Sequence, residues 1–120
     1  RQFMGLSASK PTPEQMSAVA SKVEEIIANN KVAVFSKSYC REVTNPVAYC
    51  RRAKEALKGL TEFFSIELDE VDDGSAIQEY LAQKTGKRTV PNIFVNKQHI
   101  GGCDDLLQAK SSGQLQKLLQ

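Results

Sequence analysis

Apolar residues recur in steps of three and four at Met16, Val19, Ala20, Val23, Ile26 and Ile27. That stripe predicts an amphipathic helix from Pro13 to about Asn29. Thr12 followed by Pro13 makes a cap and first-turn pair, and Asn29–Asn30 end the helix. The run KVAVFS at 31–36 is apolar almost without a break, the pattern of a strand covered on both faces. A second helix is predicted from Pro46 to about Leu60, with Ala53, Ala56, Leu57 and Leu60 inward and Arg51, Arg52, Lys54 and Lys58 outward. FFSIELD at 63–69 reads as a strand, and 75–86 as a helix capped by Ser75 and stopped at Gly86. PNIFV and KQHIG form two short strands joined by an Asn96–Lys97 turn. Two short helices close the chain, one from about Asp104 through Leu106–Leu107 and one with Leu115, Leu118 and Leu119 inward.

The resulting order, α–β–α–β–α–β–β–α, predicts an α/β domain whose mixed sheet is covered by helices on both faces. Residues 1–13 read as a flexible arm and 14–120 as one domain. A chain of 120 residues closes one core and has little room for two. With 41% hydrophobic and 25% charged residues, disorder and fibrous repeats are excluded. No apolar run reaches the length of a membrane span, so no membrane association is expected. Sixteen basic against fourteen acidic residues leave +2, too little to argue for nucleic acid as a partner. Cysteines stand only at 40, 50 and 103. So sparse and odd a count does not make a secreted disulfide framework; it suits reactive thiols in a reducing, cytoplasmic setting.

Cys40 directly follows the first strand, with Lys37 three residues before it, and Cys50 falls in the first turns of the next helix beside Arg51 and Arg52. Backbone N–H groups at a helix N-terminus, and nearby cations, both favour a thiolate. His99 is alone, and no Cys/His spacing for zinc exists, so no metal site is expected.

Several separate segments now matter together: KSYC at 37–40, YCRRAK at 49–54, ELDE at 67–70, GSAIQEYL at 74–81, TVPNIFV at 89–95 and HIGGCDDL at 99–106. From about residue 14 onward the chain resembles a glutaredoxin of the dithiol kind. The resemblance implies a thioredoxin fold, a four-stranded mixed sheet flanked by about five helices. It also implies reduction of protein–glutathione mixed disulfides and small disulfides, with glutathione as co-substrate. Cys40 would then be the nucleophile and Cys50 its resolving partner. Thr89, Val90 and Pro91 match the family's cis-proline segment, where the backbone of Val90 would pair with the cysteine portion of glutathione. Gly102, Cys103, Asp104 and Asp105 match the segment holding the γ-glutamyl end, with Asp105 contributing its side chain and Asp104 its backbone or a helix cap. Lys37 and Gln78 match positions that hold the glycine carboxylate, with Lys87 or Arg88 assisting, and Tyr39 would form a wall. Cys103 would have no redox role. The expected partners are glutathione and glutathionylated or disulfide-containing proteins, and the expected state is a monomer.

The chain departs from the family pattern in one place. Two residues usually separate the cysteines, whereas here nine do, REVTNPVAY. About seven residues are thus added inside the motif. Asn45–Pro46 is a good cap and first-turn pair, so the helix can begin there, leaving Cys40 in a preceding loop. Alternatively the added residues bulge outward and both thiols keep their usual places. Either way the spacing weakens the Cys40–Cys50 partnership and points to a monothiol route. Two other readings stay open: a binding scaffold with impaired catalysis, in which Val43, Val47 and Tyr49 are contacts, and an iron–sulfur cluster carrier using Cys40 and glutathione.

Overall fold

The computed structural model describes residues 11–37 and 45–120, with the backbone alone at 45–48. Its elements are α1 (Pro13–Asn29), β1 (Val32–Ser36), α2 (Asn45–Lys58), β2 (Phe64–Glu67), α3 (Gly74–Thr85), β3 (Asn92–Val95), β4 (Gln98–Gly101), α4 (Cys103–Ser112) and α5 (Gln114–Leu118). Thr12 caps α1 as its sequence predicts. Its hydroxyl accepts from the Gln15 N–H at 3.1 Å, and the Gln15 side chain accepts from the Thr12 N–H at 2.9 Å.

The sheet order is β2-β1-β3-β4, with β1 parallel to β2, β3 antiparallel to β1, and β4 antiparallel to β3. All five residues of β1 are buried, which accounts for the unbroken apolar run. Alternation along the strand divides the core. Ala33 and Phe35 pack with α1 and α3 residues such as Val23 and Ile77, while Val32 and Val34 pack with Leu57, Leu106 and Leu115. On the first face Glu24 of α1 takes Lys84 at 2.8 Å and the Tyr80 hydroxyl at 2.6 Å, both from α3. That carboxylate raises the Tyr80 phenol to about 12. The β3–β4 turn falls on Asn96 and Lys97, both left-handed with φ of 52° and 71°.

Two sequence expectations are corrected. Ser75 does not cap α3: the Ile77 N–H bonds to the Asp73 carbonyl at 2.9 Å, so the cap position is Asp73 and the helix begins at Gly74. Gly74 is buried where an added Cβ would strike the Leu68 carbonyl, so close backbone packing sets this boundary. Leu60 does not face inward. The N–H groups of Leu60 and Thr61 both bond to the Leu57 carbonyl, at 2.9 and 3.0 Å, and this turn carries Leu60 out to 36% exposure.

Candidate functional site

Two chain segments separated in sequence are brought side by side by the β3–β4 hairpin. The first, Lys87–Pro91, is pinned from several directions. Asn92, 1% exposed, donates its amide to the Lys87 carbonyl at 3.1 Å. The Lys87 N–H bonds to Thr85 Oγ1 at 3.1 Å, and Gln78 donates to the Arg88 carbonyl at 2.7 Å. Arg88 is further tied to Glu79 at 2.5 Å. Because the Asn92 amide nitrogen is donating, its oxygen accepts, so His99 Nε2, 2.7 Å away, carries the proton. Burial lowers the His99 pKa, the Lys87 and Lys84 charges push the same way, and Asp105 opposes them. The Val90–Pro91 bond is cis, and Val90 lies two residues before the paired part of β3, so its peptide groups are not spent in the ladder.

The second segment is the start of α4. Gly101 has φ of +120°, a conformation that favours glycine, and an added Cβ there would strike the Asp105 carboxylate. Gly102 is the cap residue, and its N–H bonds to Asp105 Oδ2 at 3.1 Å. The capping expected of Asp104 is therefore performed by Asp105, whose side chain reaches back from the third position of the helix to the cap N–H.

Between the two segments lies a cleft of about 440 Å³ lined by Tyr49, Lys87, Thr89, Val90, Pro91, Gly102, Cys103, Asp104 and Asp105. Seven of the predicted site residues meet here. Lys37 and Gln78 do not line this cleft; they share a separate depression of about 310 Å³ with Asp69, Asp72 and Ser75. Tyr39, Cys40 and residues 41–44 lie outside the described residues. Tyr49 is the wall residue that sequence reasoning did not place there. Its signal was its position just before Cys50 in the predicted helix, three residues from Arg52, whose guanidinium sits 5.5 Å from the Tyr49 ring centre.

Both described cysteines are free and buried. Cys103 opens α4 at 4% exposure; burial raises its thiol pKa, with Arg52 pulling the other way and Asp104 adding to the rise. Cys50 is the sixth residue of α2 and is 1% exposed. Burial raises its thiol pKa too. A hydrogen bond from the Lys37 backbone and the Lys54 charge oppose the rise, and Glu67 and Cys103 add to it. The groove thus offers backbone groups outside the sheet ladder and a helix N-terminus, suited to a peptide-like anion. Cys103 lines this groove, and Cys50 does not.

The glutaredoxin family model matches residues 32–100. The chain belongs to the glutaredoxin family. Glutaredoxin-1 of Rhizophagus irregularis is 50% identical over 105 residues, spanning 87% of this chain and 97% of that protein. Glutaredoxin-C1 of Arabidopsis thaliana is 41% identical, covering 94% of this chain and 86% of its own. Among solved structures, a buckwheat glutaredoxin–glutathione complex superimposes with a TM-score of 0.81 at 41% identity, over 91% of this chain and 94% of that one. As a glutaredoxin, the protein is a thiol–disulfide oxidoreductase with the thioredoxin fold, and the four-stranded mixed sheet and five helices agree with that fold.

Proposed function

We propose that this glutaredoxin reduces protein–glutathione mixed disulfides by a monothiol route through Cys40, with glutathione bound in the groove between Thr89–Pro91 and Gly102–Asp105. The observation that carries the reading is the groove itself, where seven family-matched positions meet beside the helix that bears Cys50. The Cys40 thiolate attacks the glutathione sulfur of the mixed disulfide. A bond forms between Cys40 Sγ and that sulfur, the bond to the protein sulfur breaks, and the protein leaves as a thiolate that takes a proton from water. A second glutathione thiolate then attacks the same glutathione sulfur, giving glutathione disulfide and restoring the Cys40 thiolate.

Cys50 offers a slower alternative, attacking Cys40 Sγ and expelling glutathione thiolate. Its burial and raised thiol pKa disfavour the thiolate this requires. The spacing supports the same reading, because nine residues between Cys40 and Cys50, against the family's usual two, weaken the pairing of the two sulfurs. We further propose that Lys37 and Gln78 attract the glycine carboxylate from the neighbouring depression, and that the protein works as a monomer.

Turnover of a glutathionylated peptide tests this. Cys40→Ser should abolish activity and Cys50→Ser should retain at least about half of it. Retained activity in Cys40→Ser would sink the assignment, and loss of activity in Cys50→Ser would replace the monothiol route with a dithiol one.

A further inference from the structure

Cys50 does not line the groove. It contributes instead to a separate cleft of about 280 Å³, with Lys37, Arg51, Lys54, Lys58 and Glu67 among its walls. Lys54 lies four residues after Cys50 in α2, hence on the same helix face. Its ammonium reaches Glu67 Oε2 at 2.6 Å, and Glu67 Oε1 accepts from the Ser36 hydroxyl at 2.8 Å. Ser36 is fully buried at the end of β1, next to Lys37, whose backbone donates to the Cys50 thiol. Three elements, β1, β2 and α2, therefore fix one cation against the wall from which the buried sulfur is reached.

A Lys–Glu pair between a helix and a strand often does no more than tie the two together. Here the pair is only 24% and 16% exposed and is extended by a buried hydroxyl that bonds to nothing else among the described residues. It also shares its cleft with a thiol. We propose that Lys54, held by Glu67 and Ser36, is a positioning residue for Cys50, supplying the charge that lets this buried thiol ionise when it acts as the resolving group. The inference rests on the reading of Cys50 as that group. The other titratable or charged groups acting on Cys50 are Glu67 from β2 and Cys103 from α4, with Lys37 and, from α2 itself, Arg51, Glu55 and Lys58 lining the same cleft.

The test is the pH profile of Cys50 alkylation by iodoacetamide in the full chain carrying Cys40→Ser and Cys103→Ser. Lys54→Gln should move the midpoint to higher pH and slow alkylation at pH 8 by about threefold or more, as expected for losing a nearby charge in a partly buried site. Glu67→Gln, which keeps an acceptor for Ser36, should move it to lower pH. Lys54→Arg should stay close to the parent. A merely structural tie would shift both neutralising variants in one direction, or neither, and either result overturns the proposal, as does failure of the arginine to restore the midpoint. The readout needs no turnover, so it stands even if Cys50 proves to have no part in the reaction, and the Cys50→Ser activity test reports that separately.

Discussion

Tyr49 and Cys50 are adjacent in α2, yet they serve two different hollows, because successive helical side chains diverge by about 100°. The groove on the Tyr49 side is walled by Tyr49, the Lys87–Pro91 segment and the start of α4, and Lys87 is its one cation among the described residues. The cleft on the Cys50 side is walled by charge, with four cations against Glu55 and Glu67. The contrast separates two tasks. In the proposed function, recognition of a peptide-like ligand falls to main chain held in place by Asn92, Thr85 and Asp105. Control of a thiol, as proposed for Lys54, falls to side-chain charge held by Ser36 and Glu67. One helix joins them.

The strongest way to break this separation is Gly101→Ala. The new methyl would meet the Asp105 carboxylate at a φ of +120°, costing roughly 1–3 kcal/mol of stability. It should also raise the KM for glutathione by about tenfold as the Asp105–Gly102 contact is lost. Thermal unfolding and steady-state kinetics measure the two effects. Cys50 alkylation should stay unchanged; if it moves in step with KM, groove and cleft are one unit.

Cys103→Ala makes a smaller and sharper comparison. The residue is 4% exposed and packs with Leu106 and Val34, so truncation should cost about 1 kcal/mol through lost packing. Activity should change less than about twofold, because the proposed function asks only for this position's backbone. A large activity loss without a matching fall in stability would give Cys103 a chemical role.

The smallest effect is the pH response of the groove's anchor. The His99 pKa in the folded protein lies below its ordinary value of 6.5, so at lower pH the unfolded chain takes up the proton more readily than the fold does. Stability contributed by neutral His99 is therefore complete above about 6.5 and declines as pH falls from there toward the folded value. Denaturant unfolding at pH 7.5 and 5.5 should show this decline, and His99→Gln should reduce it.

How far these features could be read from residues alone follows from how local they are. The capping of α1 by Thr12, the buried β1 and the Asn96–Lys97 turn depend on neighbours within a few positions, and each was legible. Ser75 is a good capping residue by type, but packing of Gly74 on the Leu68 backbone moved the helix start. Lys54 has the pattern of an outward, solvated cation on α2; only the arrival of Glu67 from β2 and Ser36 from β1 makes it a half-buried partner. The groove joins residues 89–91 to 102–105 across a hairpin, so spacing could not assemble it. The family resemblance supplied those positions, and the structure supplied Tyr49.

The most direct test of the central claim, that glutathione occupies this groove, is a titration of the full chain with glutathione followed by backbone amide NMR shifts. The account predicts the largest shifts at Val90, Asp104 and Asp105, with much smaller ones at Lys54 and Lys58 beside the second cleft. Shifts centred on Lys54 and Lys58, with Val90 and Asp105 unmoved at saturation, would contradict it.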